Sequence, residues 1–193
     1  MLNSGGLEKN IIIGISGASG SIYGIRLLEK LKAVPNVKTH LVITKSANIT
    51  LDLETDYKIR DVIELSDFHY NANDIASTIA SGSFITDGMI IAPCSVKTLA
   101  SIATGNCNNL LSRAADVMLK ERRKLVLMLR ETPFNLIHID NMQKATLAGA
   151  IIMPPVPAFY TKPKAIDDLV DYSVARALDL LSIHDDGIKR WVK

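Results

Sequence analysis

Gly14, Gly17 and Gly20 stand three residues apart in the stretch Gly14-Ile15-Ser16-Gly17-Ala18-Ser19-Gly20-Ser21, with Ser16, Ser19 and Ser21 set among them. Small residues let a ligand approach the backbone closely, and the first amides of a helix have no intrahelical acceptor. Hydroxyls add further donors. The chemistry this pattern favours is the binding of a phosphate. Dinucleotide sites use a different spacing, G-x-G-x-x-G, and an acidic residue after the second strand to hold the adenosine ribose. Here the second apolar run, Thr39 to Ile43, passes into Thr44-Lys45-Ser46 without a carboxylate. A mononucleotide such as FMN therefore fits better than NAD, while Lys45 could take an extra phosphate on NADP. A Gly/Ser turn can also do no more than pack a strand against a helix, so the other residues must decide.

Cations form the second group. Arg113 and Lys120 are seven apart, two turns along one helix face. Arg130 ends an apolar strand, where open α/β sheets place ligands. Tyr160 lies in a proline-rich loop and Arg176 on the last helix. A second phosphate would need such cations to converge. Arg122, Arg123 and Lys124 read instead as a solvated turn. Glu54 and Glu131 are the carboxylates placed to act as acid or base. Pro93-Cys94-Ser95-Val96-Lys97-Thr98 makes a second strand-to-helix junction, with Ser95 as its N-cap. His40, His69, His138 and His184 lack ligand spacing; His40 and His138 read as packing residues. Cys94 and Cys107 have neither a second pair nor a His partner, so no metal site is expected.

The elements that must carry these residues alternate. Strand 11–15, helix 20–33 and strand 38–44 come first, then a helix over Ser46 to Glu54. Segment 56–86 is mixed, with a short helix near Asp74–Ala80. Strand 88–94, stopped by Pro93, precedes helices at 95–104 and 108–121. Strand 125–129, a helix from Pro133 to near Gly149, strand 150–153 and a closing helix over 165–183 complete the chain. This predicts an α/β protein with a doubly wound parallel sheet in three layers, α/β/α, Rossmann-like (flavodoxin-like) in kind. Residues 1–9 read as a flexible tail and 10–193 as one domain.

Composition narrows the class. In 193 residues, 48% are hydrophobic but only 5% aromatic, which describes a core of aliphatic side chains. A net charge of +2 offers no general nucleic-acid or acidic-membrane surface. The apolar runs are too short to span a bilayer, and Met1 to Asn10 lacks a signal-peptide layout, so a cytoplasmic protein is expected.

Taken together, the motifs resemble one family. They are Gly-Ile-Ser-Gly-Ala-Ser-Gly at 14–20, Leu-Glu-Thr-Asp at 53–56, Pro-Cys-Ser-Val-Lys-Thr at 93–98 and Arg-Ala-Ala-Asp-Val-Met-Leu-Lys-Glu-Arg-Arg at 113–123. Arg-Glu-Thr-Pro at 130–133, Ile-His-Ile-Asp-Asn-Met at 137–142, Pro-Ala-Phe-Tyr at 157–160 and Asp-Asp-Leu-Val-Asp-Tyr at 167–172 follow in order. The chain is similar to the flavin prenyltransferases, and segment 65–84 looks most like their phenolic-acid branch.

The resemblance implies transfer of a dimethylallyl group from dimethylallyl phosphate to reduced FMN. The prenylated FMN would then pass to a partner decarboxylase. Carried over by motif, Gly17, Ala18 and Ser19 would hold the FMN phosphate, and Thr44, Ser95, Val96, Lys97, Thr98 and Arg130 the rest of the flavin. Arg113, Lys120, Tyr160 and Arg176 would bind the prenyl phosphate, without a metal. Ser19, Glu54 and Glu131 would serve proton movement and flavin orientation. The resemblance also implies a homo-oligomer, a dodecamer, with sites at subunit contacts. Leu129 stands where the family often has proline, and Asp140 where glutamate is common. Two other functions share parts of this pattern. A cysteine-type flavin decarboxylase would need an active-site His and an Asn/Met-rich clamp, and an FMN-binding accessory subunit would not need the four clamp residues.

Overall fold

A computed structural model describes residues 8–185 and 187–191 of the chain. Six parallel strands make the sheet: β1 (Lys9–Ile15), β2 (Val37–Ile43), β3 (Phe68–Asn71), β4 (Gly88–Cys94), β5 (Leu125–Leu129) and β6 (Ala150–Ile152). Their order is β3-β2-β1-β4-β5-β6, so the winding direction reverses between β1 and β4. That reversal opens a crevice at the carboxyl ends, where such sheets take their ligands. The sheet is the doubly wound α/β arrangement expected from the alternation.

Side chains alternate across the strands and so build two cores. Ile11, Ile13, Ile15, Leu41, Ile90 and Val126 face one side, under α1 (Ser21–Lys32) and α7 (Ile166–Leu180). Ile12, Val42, Met89, Ile91, Leu125 and Leu127 face the other, under α4 (Val96–Thr104), α5 (Leu110–Lys120) and α6 (Leu136–Ala148). Burying each aliphatic side chain this fully stabilises by roughly 1.5–3 kcal/mol. Gly14 belongs to this packing and not to the loop: a Cβ there would collide with Leu111 of α5.

Several boundaries differ from the sequence reading. Lys9, placed in the expected tail, pairs with Val37 in β1; residues 1–7 lie outside the described residues. Segment 56–86 holds a five-residue helix, α3 (Ile59–Ile63), and the edge strand β3, neither of which carries a periodic apolar signal. β3 is held by Asp67, whose carboxylate accepts from the Thr39 amide at 2.9 Å, and by pairing of His40 with Phe68. The short helix foreseen near Asp74–Ala80 is a single 3-10 turn, Thr78–Ala80. Pro93 does not stop β4. The strand runs through it to Cys94 with a register shift after Ile91, which accommodates a residue that has no amide to donate. The helix after Pro133 begins at Leu136, because Asn135 caps it by accepting from the His138 amide at 2.9 Å.

Candidate active site

Four strand ends, those of β1, β2, β4 and β5, are tied together around the switch point. Ser16 is fully buried at the end of β1; its hydroxyl donates to the Pro93 carbonyl at 2.8 Å and accepts from the Ser95 amide at 2.8 Å. Ser95 in turn caps α4 by accepting from the Thr98 amide, as expected from its position. Thr44 does the same for α2 (Lys45–Glu54), accepting from the Ala47 amide, and its own amide donates to the Ile15 carbonyl at 3.0 Å. Arg130 closes the ring: its amide donates to the Cys94 carbonyl, and its guanidinium reaches the Ser19 carbonyl at 3.1 Å. Ser16→Ala would leave the Ser95 amide without its acceptor, while the Pro93 carbonyl would still accept from the Ser16 amide. It is expected to lower unfolding free energy by about 1–3 kcal/mol, read as a lower midpoint in urea denaturation.

The crevice has two lobes that share Ser46, Ser95 and Lys97. A lobe of about 710 Å³ is lined by Gly17, Ala18, Ser19, Val96, Arg130 and Glu131, among others. A second of about 350 Å³ runs past Thr44, Lys45, Thr98, Asn109 and Ser112. Every residue assigned above to the flavin therefore lies on one continuous crevice. Tyr23, Thr132, Pro154 and Pro155 also line it, and the sequence reading gives none of them a role. The loop is shaped for close approach. A Cβ on Gly17 would strike Ser46, and Gly20 has φ of +102°, a left-handed conformation that side chains resist. Leu129 keeps β5 paired with Cys94 to its last residue, and its fully covered side chain forms part of the wall.

Glu54 changes the picture drawn from the loop alone. Its Oε2 accepts from the amides of Gly20 at 2.7 Å and Ser21 at 3.3 Å. A carboxylate from the end of α2 thus caps α1, where the helix dipole favours negative charge. The Gly20 and Ser21 amides are therefore already taken by a side chain of the same chain. Burial pushes the Glu54 carboxyl up, but the Ser19 hydroxyl, the Gly20 and Ser21 amides and Arg130 outweigh it and hold it below the usual glutamate value. Glu131 sits at the crevice mouth, exposed, with Oε1 accepting from the Thr132 amide at 3.0 Å.

The four cation-clamp residues do not line this crevice. Arg113 and Lys120 share one side of α5, on the sheet face opposite α7. Arg113 pairs with Asp116 at 2.7 Å and donates to the Ala80 carbonyl, and Lys120 pairs with Glu121. Leu110 at the start of α5 lies near the carboxyl ends of the strands, its amide donating to the Ala72 carbonyl. Lys120, about 15 Å further along the helix, points toward the other end of the sheet. Tyr160 and Arg176 belong to the α7 side: the Tyr160 hydroxyl meets that of Tyr172 at 2.8 Å, and Arg176 pairs with Asp179 at 2.6 Å. The sheet stands between the two pairs.

Other expectations resolve simply. His40 packs between Asn10 and Tyr70, bonded to both, and burial pushes its pKa down. Burial pushes the Cys94 thiol up to about 12, so it is inert at neutral pH. No group of His, Cys, Asp and Glu among the described residues could hold a metal ion. Arg123 is not a solvated turn residue: it donates to the Phe84 carbonyl at 2.8 Å and the Gly82 carbonyl at 2.7 Å, fixing the loop before β4. No helix is long and apolar enough to cross a membrane among the described residues.

A crevice lined by small, hydroxyl-bearing and cationic residues at the switch point of a doubly wound sheet defines a nucleotide-binding class of α/β protein, and the Flavoprotein family profile matches residues 3–178. Flavin prenyltransferase UbiX of Escherichia coli strain K12 is 52% identical over 185 residues, 95% of this chain and 98% of that protein. The crystal structure of AnUbiX (PadA1) in complex with FMN and dimethylallyl pyrophosphate superposes with a TM-score of 0.94 at 50% identity, covering 96% of this chain and 98% of that one. A dodecameric FMN-dependent UbiX-like decarboxylase from Escherichia coli O157:H7 gives a TM-score of 0.93 at 49% identity over 95% of this chain and 100% of that one. The chain belongs to the Flavoprotein family, in its UbiX-type flavin prenyltransferase branch.

Proposed function

We propose that this chain is a flavin prenyltransferase that joins the dimethylallyl group of dimethylallyl phosphate to reduced FMN. The observation that carries this reading is near-full-length identity of about one half to flavin prenyltransferases.

The donor set fits FMN: a turn that a Cβ at Gly17 would fill, hydroxyls at Ser19, Ser46 and Thr98, and one guanidinium, Arg130. Gly17, Ala18 and Ser19 hold its phosphate, and Thr44, Ser95, Val96, Lys97, Thr98 and Arg130 hold the rest. Reduced FMN supplies the nucleophile for the allylic carbon. The Ser19 hydroxyl is among the groups that hold the Glu54 carboxyl below its ordinary value, so a proton released in the crevice has a route by way of Ser19 to the Glu54 carboxylate. Glu131, at the mouth of the same lobe, orients the flavin edge or takes its proton. Leu129, Val96, Pro154 and Pro155 form an apolar wall that keeps water from the allylic centre.

An allylic phosphate leaves only when its charge is neutralised as the bond breaks. Arg113, Lys120, Tyr160 and Arg176 perform this, assembled from more than one copy of the chain, since the sheet separates the two pairs within one copy. A homo-oligomer, a dodecamer, provides the contacts. Leu136, Ile137 and Leu147 on α6 are each about 70–80% exposed and supply apolar surface for them. The prenylated FMN serves a partner aromatic-acid decarboxylase. A cytoplasmic setting suits the two free thiols, Cys94 and Cys107.

The test is anaerobic incubation of the purified protein with reduced FMN and dimethylallyl phosphate, or the diphosphate, followed by mass spectrometry of the released flavin. A flavin heavier by one five-carbon unit is expected. Unchanged flavin with both donors, from protein that demonstrably binds FMN, would replace this reading with that of an accessory flavin carrier.

A further inference from the structure

Tyr160 is held in a way that its own position in the clamp does not require. Its ring meets Tyr172 edge-on, centroids 6.0 Å apart at 89°, and Trp191 edge-on at 5.0 Å and 86°. Its hydroxyl lies 2.8 Å from that of Tyr172. Tyr172 sits on α7 one turn before Arg176, so the two project from the same side of the helix. The residue before it, Asp171, is bound by Arg26 at 2.6 Å and Lys30 at 3.4 Å, both on α1. The helix that starts at the Gly/Ser loop therefore sets the place of the Tyr172 phenol.

We propose that Tyr172 is a positioning residue for prenyl-phosphate binding: it donates its hydroxyl proton to Tyr160, so that the Tyr160 proton is left to point at the phosphate. A phenol has one proton and two lone pairs. If Tyr160 donated to Tyr172, it would present only lone pairs to an anion and repel it. With Tyr172 as donor, the Tyr160 lone pair is satisfied and its O–H is aimed outward, within the ring orientation fixed by Tyr172 and Trp191. The hydrogen bond to Tyr160, followed by burial, holds the Tyr172 phenol above the ordinary tyrosine range, which keeps it protonated as a donor must be.

This inference rests on the prenyltransferase reading for the identity of the phosphate, and a double-mutant cycle tests it. Tyr172→Phe removes the donor and keeps the ring. Steady-state kinetics on FMN-saturated protein should show Tyr160→Phe raising KM for dimethylallyl phosphate about tenfold or more, as the loss of one hydrogen bond to a charged group does. Tyr172→Phe should raise it by about three- to tenfold, with kcat much less affected and FMN affinity unchanged. The double variant should be no worse than Tyr160→Phe alone, because a residue that acts through another adds nothing once that other is gone. Additive effects, or an unchanged KM in Tyr172→Phe, would overturn the proposal.

Trp191 is the chain's single tryptophan and touches Tyr160, so its fluorescence reports phosphate binding without turnover. Should the wild type bind dimethylallyl phosphate by this signal but make no prenylated flavin, the same non-additive pattern in Kd upholds Tyr172 while the transferase reading fails. Prenylation with additive effects on Kd rejects Tyr172 and leaves the transferase reading standing.

Discussion

Glu54→Gln is expected to lower kcat by about 10²–10³-fold, the usual contribution of a positioned acid or base, with FMN still bound. Glutamine keeps the shape and can accept from the Gly20 and Ser21 amides, but it cannot take a proton from Ser19 or carry charge opposite Arg130. Stopped-flow or mass-spectrometric rates for the variant and wild type give the ratio directly. A drop of less than about tenfold would leave Glu54 only the role of helix cap. The pH dependence has a defined sign. The folded pKa lies below the ordinary 4.5, so the charged cap is intact above that value and is lost as pH falls through the lower, folded value. Wild-type protein should accordingly lose part of its stability and its FMN retention only in this acid window. Glu54→Gln should lack that limb, which thermal melts at a series of acid pH values would show.

Arg113→Ala is expected to raise KM for dimethylallyl phosphate by about 10–100-fold, as the loss of a charge-assisted hydrogen bond does, without releasing FMN. Arg113 lies outside the crevice of its own chain, so the flavin absorbance that survives gel filtration should equal that of the wild type. Co-assembly with a second variant separates the site into its halves. When Arg113→Ala and Tyr160→Phe chains are expressed together, random pairing of copies leaves roughly a quarter of the sites with both residues intact. Partial recovery of activity at low donor concentration is the expected result. If both residues acted within one chain, no mixed oligomer would contain an intact site and activity would stay at the level of the parents.

How far the chain could be read in advance depended on where each signal resides. The apolar runs of β1, β2, β4 and β5 are buried on both faces, so they stand out in sequence as nearly continuous Ile, Leu and Val. β3 is an edge strand of Phe68-His69-Tyr70-Asn71 with one face in solvent, and its existence depends on partners in β2 that a local reading cannot see. The same distinction governs the site. Ser95 and Thr44 cap the helices they precede, a local geometry that residue type announces.

Sequence by itself therefore determined the doubly wound α/β sheet, the Gly/Ser turn and the Ser95 cap at the second strand-to-helix junction, because periodicity and capping are short-range properties of the chain. Tertiary structure alone decided three further things. It gave the first amides of α1 to Glu54, thirty-four residues away along the chain, and it tied Tyr160 to Tyr172. It also placed Arg113 with Lys120, and Tyr160 with Arg176, on opposite faces of the sheet. The reason is physical: which side of a sheet a crossover helix covers depends on strand order, and strand order is a property of the assembled sheet, not of any one segment.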